Sequence, residues 1–355
     1  MKFFHMKDDK ADEEIFAVDM FSGAGGITQG LKQAGYSVIM ATDIDKDFST
    51  AHRHNHPDVP FLERDITELT PKEFSRSIRA TPFVNGHPIH LVSGGPPCQG
   101  FSMTGRRKSD DPRNQLFQHY LNVLKELKPQ FFFMENVTGM LSMKQTNGEK
   151  FFGHIMDMFR KVLPEYEIDY RVINMADYGV PQTRRRVIIL GNKMGIPIDE
   201  CFPEPDHTED DYETVWDNIK DLTNIENDKI PNHRRMNHSK QIVERMSKVK
   251  AGKYIKKRRS NQKQTFQCVY QRLEKDKPAP TLVPGHSAFP IHPVEHRSLT
   301  FREAARLQTF PDDMVFFGSQ IQQGLAVGNA VPPMFAEKLG KRIAKLIREK
   351  SKQKK

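Results

Sequence analysis

Ile15-Phe16-Ala17-Val18-Asp19-Met20, followed by Phe21-Ser22-Gly23-Ala24-Gly25-Gly26, is the stretch that decides how the chain folds. A short apolar run ends in a glycine-rich turn. Ile27, Leu31 and Ala34 then recur at helical spacing until Gly35. Strand, tight turn and helix follow in that order, and the pattern repeats along the chain. Val38-Ile39-Met40-Ala41 stops at Thr42-Asp43, and Phe61-Leu62 precedes Asp65. Ile89-His90-Leu91-Val92 runs into Ser93-Gly94-Gly95-Pro96-Pro97. A helix is expected from about Asn114 to Leu127, and a strand from Phe131 to Met134 closing at Glu135-Asn136. Two more strands are expected, Tyr166 to Ile173 and Val187 to Leu190, with a turn at Tyr178–Gln182 between them. Alternation of this kind predicts an α/β protein with a Rossmann-like, doubly wound mixed sheet that is mainly parallel. Ligands in such sheets sit at the carboxyl ends of the strands, where the unusual glycine and polar residues fall.

Bulk properties narrow the function. The chain has 355 residues, 37% of them hydrophobic, and Phe131-Phe132-Phe133-Met134 is far too short a run to span a bilayer. Lys7-Asp8-Asp9-Lys10 follows the first residues at once, unlike a secretion signal. A soluble protein of the cytoplasm is expected, with no membrane association. Cys98, Cys201 and Cys268 are too few and too far apart for a disulfide framework or a zinc site, which leaves a thiol free to react. The net charge of +9 suits a polyanionic partner, although basic proteins without one share such a value. Residues 199–228 hold twelve acidic residues against Lys220 alone, and residues 230–264 hold twelve Lys or Arg against Glu244 alone. Periodicity is poor through both. A smaller, irregular domain is therefore expected at 192–296, inserted between a catalytic part at 1–191 and a return segment at 297–349, with a basic, disordered tail at 350–355.

The turn at Gly23-Ala24-Gly25-Gly26 breaks the dinucleotide fingerprint, which wants its third glycine at the position of Thr28. A nucleoside cofactor without a pyrophosphate fits better, and plain turn-forming residues remain the alternative. Asp43 is placed to accept from both ribose hydroxyls, and Asp65 from an adenine amino group. Gly94 to Cys98 is a stiff loop directly after a strand, because two prolines cannot join a ladder, and it presents Cys98 at the sheet edge. Glu135 ends the next strand. Gln182-Thr183-Arg184-Arg185-Arg186 opens another, and alternation puts Arg184 and Arg186 on one face.

Together these segments resemble the DNA (cytosine-5) methyltransferases of bacterial restriction–modification systems. Asp19 to Gly26 is similar to their cofactor loop, Gly95 to Gln99 to the nucleophile loop, Glu135-Asn136-Val137 to the glutamate motif and Gln182 to Arg186 to the arginine motif. Arg297 to Gln308 resembles the segment that supports the recognition domain, and Gly328 to Pro332 the closing motif. The order of the motifs also matches. The resemblance implies S-adenosyl-L-methionine as cofactor, held by Phe21, Gly23, Gly25, Asp43, Ile44, Asp65 and Asn329. Many relatives carry Glu where Asp43 stands. It implies Cys98 as a thiolate that adds to carbon 6 of cytosine, favoured by charge from Arg184 or Arg186, and Glu135 as the proton donor to ring nitrogen 3, for which its pKa must be raised. The base must leave the duplex, and Gln99 with the Met103–Asn114 loop is the candidate to fill the gap. It further implies double-stranded DNA as partner, action as a monomer and a companion restriction endonuclease.

In the 192–296 domain, Lys248, Lys250, Lys253, Lys256, Lys257, Arg258 and Arg259 can neutralise phosphates, and Ile242, Val243, Met246 and Val249 predict an amphipathic helix beneath the first of them. Thr281-Leu282-Val283 resembles a motif of such domains, and Gly285-His286-Ser287 is a candidate for target contact. His52, His54 and His56 alternate without a carboxylate or cysteine partner, so no metal is expected. The alternatives are a tRNA cytosine-5 methyltransferase, whose Cys-Phe-Thr signature is absent, the nearest string being Cys201-Phe202-Pro203, and a catalytically inactive DNA-binding homologue.

Overall fold

The computed structural model describes residues 14–81, 87–97, 116–143, 151–255, 271–283 and 289–353. The chain runs β1 (Ile15–Met20), α1 (Gly26–Gln33), β2 (Tyr36–Asp43), α2 (Lys46–Asn55), β3 (Phe61–Glu63), α3 (Pro71–Arg79) and β4 (Leu91–Gly94). It continues through α4 (Leu116–Leu127), β5 (Phe131–Val137), α5 (Phe151–Val162), β6 (Glu167–Asn174), β7 (Gln182–Thr183) and β8 (Arg185–Asn192). Beyond lie α6 (Ile198–Cys201), α7 (Val215–Ile219), α8 (Lys240–Ser247), β9 (Ala279–Pro280), α9 (Phe301–Leu307), α10 (Gln320–Asn329) and α11 (Pro333–Gln353).

Seven strands form one sheet in the order β3-β2-β1-β4-β5-β8-β6. β1 to β5 are parallel, while β8 runs antiparallel to both its neighbours, so the sheet is mixed. The chain winds from β1 outward to β3, then returns to place β4 on the other side of β1. That reversal is the switch point at which doubly wound sheets bind ligands, and Met20 and Gly94 pair there at the carboxyl ends.

Strand alternation divides the core. Phe16, Val18, Val92, Phe132 and Met134 face α3, α4 and α5. Ile15, Ala17, Leu91, Phe131 and Phe133 face α1 and α11, where Leu31, Phe335, Leu339 and Ile343 fill the layer. Each of these large side chains contributes about 1.5–3 kcal/mol by leaving water. Tyr36 also donates its hydroxyl to Gly340 O at 3.2 Å, tying α11 to the sheet. A third cluster joins Val215, Ile219, Leu273, Ala279, Leu282 and Phe289 to α9 and α10.

Several expectations shift. Ile196, Cys201 and Phe202 pack into the α11 side of the sheet, although they fall past the expected boundary at 192. The tail does not fray at 350. α11 continues to Gln353, and Lys350 and Lys352 stand in its last turn, where positive charge suits the helix dipole. Helices α2, α3 and α5 are not among the expected elements, although in α5 Phe151, Phe152, Ile155, Met156 and Phe159 recur at helical spacing and are all buried. The histidine alternation is a misleading period: α2 puts His52 and the following His56 on one side, both buried, while His54 stacks edge-on against Phe317. Among the described residues no cluster could hold a metal ion, and no helix is long and apolar enough to cross a membrane.

Candidate active site

β5 and β8 are paired with Val137 opposite Arg186 and Glu135 opposite Ile188. Glu135 and Arg186 are thus diagonal neighbours on one face, a spacing that long side chains bridge. Arg186 Nε lies 2.9 Å from Glu135 Oε1, with both side chains nearly buried. Burial lowers the Arg186 pKa from its usual value, and the Glu135 carboxylate opposes that shift. The loop after β4 lies against the same pair. A Cβ on Gly95 would stand 3.5 Å from Glu135 Oε2, and Asn136 Nδ2 donates to Pro96 O at 3.3 Å. Pro97 is the last described residue of that loop; Cys98 and Gln99, like the Met103–Asn114 loop, lie outside the described residues. The centre offers an acid and a cation held together, next to the backbone that leads into the cysteine.

On the other side of the switch point, Phe21 sits at φ 57° and Gly23 at φ 54°, so the chain doubles back right after β1. Phe21 holds a left-handed conformation that costs a side-chain-bearing residue energy, which the surrounding contacts must offset. Ser22 N donates to Thr42 O at 2.9 Å, and Ser22 Oγ accepts from Thr42 N at 3.1 Å. Asp43 accepts from Gly23 N at 2.8 Å and from Asp45 N at 2.9 Å, one bond to each oxygen. Burial raises the Asp43 pKa, and these backbone donors oppose the rise. No atom lies within 4 Å of where a Cβ on Gly23 would stand, so the turn borders open space. Gly26 is the opposite case: a Cβ there would meet Val331 O at 2.4 Å, and only glycine permits the closing segment to lie this close. Ile44 is 65% exposed beside this space, an unusual position for its side chain. Asp65 Oδ1 accepts from Thr67 N and Thr67 Oγ1 at 2.8 Å, capping a short helical turn. Asn329 ends α10 with its side chain exposed, next to the Ala330–Val331 segment that abuts Gly26.

Of the three arginines in Gln182–Arg186, Arg184 and Arg186 lie on one face but do not act alike. Arg184 is buried and donates to Gly328 O at 3.0 Å and Asn329 O at 3.5 Å, the free carbonyls at the carboxyl end of α10. Its pKa is pushed well down by burial and further by Arg186, against the pull of Glu135. Gln182, fully buried, donates to Leu307 O and Gln308 Oε1 and accepts from Leu282 N at 3.0 Å. Gln308 in turn donates to Val327 O at 2.8 Å. Thr281 Oγ1 donates to Thr183 O, and β7 pairs with β9. The Thr281–Val283 motif is therefore a joint between the 192–296 segment and the Gln182–Thr183 strand that leads into β8.

Sequence alone does not mark Gln182 or Gln308 as a clamp, since nothing in their neighbourhood sets them apart. Asp19 stands in the sequence only as the start of the cofactor-loop motif, with no role of its own, although a signal exists for one: a charged residue inside an apolar strand. Behind the joint, Arg297 forms a two-pronged pair with Glu303 at 2.8 and 2.7 Å, and Arg302 donates to Pro231 O, Pro311 O and Met314 O. Arg272 binds the carbonyls of Val249, His292, Glu295 and Met246. Lys250 and Lys253 are exposed and Lys248 pairs with Glu244, while Lys256 to Arg259 and Gly285 to Ser287 lie outside the described residues. α8 forms but ends at Ser247: it buries Met246 and leaves Ile242 and Val243 on the surface, while Val249 is buried beyond its end, so Lys250 and Lys253 do not stand on the helix expected beneath them.

Known proteins give this geometry a context. The family of C-5 cytosine-specific DNA methylases matches residues 15–345. Type II methyltransferase M1.HphI of Haemophilus parahaemolyticus is 39% identical over 98% of this chain and 91% of its own length. Type II methyltransferase M.DdeI of Desulfomicrobium norvegicum is 33% identical over 92% of this chain and 88% of its own. A crystal structure from E. coli, of a prophage-encoded protein described as a DNA modification methyltransferase, superposes with a TM-score of 0.75 at 30% identity, covering 94% of this chain and 99% of that one. With a family match over nearly its whole length and relatives this similar from end to end, the chain belongs to the C-5 cytosine-specific DNA methylases and is of the type II restriction–modification kind.

Proposed function

We propose that the enzyme uses S-adenosyl-L-methionine to methylate a cytosine flipped out of double-stranded DNA, within one short sequence read by the segment 192–296. The observation that carries the reading is the Glu135–Arg186 pair at 2.9 Å with the Gly95–Pro97 turn laid against it. Bound cofactor would supply an electrophilic methyl group on a sulfonium. Phe21, Gly23, Gly25, Asp43, Ile44, Asp65 and Asn329 would hold it, and the space over Gly23, the exposed Ile44 and the oriented Asp43 carboxylate fit a nucleoside there. Each Asp43 oxygen keeps a lone pair for a ribose hydroxyl beyond its backbone bond.

Cys98 is the nucleophile. Its thiolate adds to carbon 6 of the cytosine, which makes carbon 5 reactive enough to take a methyl group; a base then removes the carbon 5 proton, the ring double bond re-forms and the Cys98 thiolate is expelled. Glu135 delivers a proton to ring nitrogen 3, relieving the charge that addition creates. Arg186 fixes the Glu135 carboxyl and keeps positive charge beside the ring. Arg184 is a positioning residue that holds the Gly328–Asn329 end of α10. Gln99 and the 103–114 loop fill the gap in the duplex left by the base. The catalytic part comprises 1–191 and 297–349, together with the Ile196–Phe202 stretch that packs onto its sheet and the remainder of α11 to Gln353, and the protein works as a monomer in the bacterial cytoplasm, at the nucleoid, alongside a cognate endonuclease.

Duplex DNA carrying 5-fluorocytosine tests the assignment, since fluorine at carbon 5 prevents release of the enzyme after methylation. The enzyme with cofactor should form a complex that survives denaturation, and Cys98→Ala should form none while binding cofactor normally. Methyl transfer by Cys98→Ala would overturn the mechanism.

A further inference from the structure

Asp19 is a fully buried carboxylate in β1, inside the sheet and at the switch point itself. In register it pairs with Ser93 of β4, so the two side chains stand side by side on the α1 face. Ser93 Oγ donates to Asp19 Oδ1 at 2.9 Å, and Thr28 Oγ1 of α1 donates to Asp19 Oδ2 at 2.7 Å. His52 Nε2 lies 3.0 Å from Thr28 Oγ1, and because that hydroxyl spends its proton on Asp19, His52 must be the donor to it. The carbonyl of Asp19 accepts from Ser22 Oγ at 2.7 Å. One residue thus grips the turn after β1, the first turn of α1 and the end of β4. The first two carry the cofactor loop, and β4 leads through Gly94 and Gly95 into the loop of Cys98.

We propose that Asp19 is a positioning residue that locks the cofactor loop and the nucleophile loop to one another, so that methyl donor and thiolate meet the same cytosine at a fixed spacing. This rests on the assignment of Cys98 and of the cofactor loop above. Asp19 keeps its place although burial works against its charge. Its pKa is raised to about 6 by burial, so the ionised form is held at a cost, as residues kept for function often are. Both oxygens accept from hydroxyls, a pattern that only the carboxylate satisfies. An amide in its place turns a donor toward Thr28 or Ser93 and breaks one arm.

The two arms make separable predictions. Ser93→Ala cuts the arm to the nucleophile loop: adduct formation on 5-fluorocytosine DNA should slow by about tenfold to a hundredfold, the usual result of misplacing a reacting group by an ångström, with the cofactor dissociation constant unchanged. Thr28→Val keeps the side-chain shape and cuts the other arm. It should weaken cofactor binding by roughly tenfold, and Thr28→Ser should restore it. Asp19→Asn should show the defect of whichever arm its amide group turns against, with a melting temperature no lower than that of the parent. If Asp19→Asn binds cofactor and forms adduct at parental rates, the proposal is wrong. If it loses activity only together with thermal stability, and the two single-arm variants show the same mixed defect, Asp19 is merely structural and the proposal is again wrong. If the unmodified enzyme forms no adduct at all, the nucleophile assignment fails instead.

Discussion

Arg184 and Arg186 stand two residues apart, are indistinguishable in sequence, and reach different partners. Arg186 faces Glu135 and Arg184 caps α10. Substitution should separate them. Arg186→Ala removes the cation beside the acid and should lower kcat by about a hundredfold or more, the range of general acid–base catalysis, with KM for cofactor little changed. Arg184→Met frees the Asn329 end of the helix and should raise KM for cofactor more than it lowers kcat, as steady-state kinetics will show. Asp19 adds a pH signature. Its folded pKa of about 6 exceeds the ordinary value of 3.8, so its contribution to stability is fully present below about pH 4 and is lost as pH rises through 6. Its buried neighbours His52 and His56 are pushed down by burial, the latter to about 4, so neither gains charge in the window from 5 to 8. The melting temperature of Asp19→Asn relative to the parent should therefore increase between pH 5 and pH 8, by an amount worth roughly 3 kcal/mol at most. A difference that shrinks over that range would mean Asp19 is not the group that burial strains.

At the scale of elements, the sheet is legible because each strand is an apolar run ended by glycine, proline or a carboxylate. Ile15–Met20 can be read to the residue, and β2, β4, β5, β6 and β8 within a few positions. What the sequence does not disclose is direction. Nothing in Val187–Leu190 says that β8 runs antiparallel, a fact set by the turn at Tyr178–Gln182 and by its pairing on both sides. Nor does Gln182 or Gln308 announce a clamp, since a buried amide network depends on partners 126 positions apart. The same holds for the cap of α9, where Thr300 and Glu303 bond reciprocally while Glu303 also pairs with Arg297. Glu303→Gln should destabilise the protein by about 1–3 kcal/mol, because it removes the buried one of the two carboxylates on Arg297 and leaves that guanidinium only the more exposed Glu295. Thermal denaturation measures that loss, and a change below about 1 kcal/mol would show that solvent reaches the pair. In the last helix, Leu339→Ala should cost about 2–5 kcal/mol by opening a cavity against α1.

Across the whole molecule, charge and architecture point the same way. A net +9 is spread over a chain whose acidic run and basic run are adjacent, and the exposed Lys250 and Lys253 belong to the basic one. The candidate site is readable in the sequence to the extent that its residues sit at strand ends, and least readable where recognition of DNA is expected, because irregular segments held by Arg272 and Arg302 leave no periodic trace. Replacing Lys250 and Lys253 with alanine should weaken DNA binding and reduce the slope of log affinity against log salt by about 0.9 for each phosphate no longer neutralised. Every role assigned above depends on sequence-directed methylation of cytosine at carbon 5. The most direct test is transfer of labelled methyl groups from S-adenosyl-L-methionine to mixed-sequence duplex DNA, with the product mapped by bisulfite sequencing. Resistant cytosines confined to one short repeated context are the predicted result; label absent from DNA, or present with no resistant cytosine, while the enzyme still binds cofactor, would contradict it.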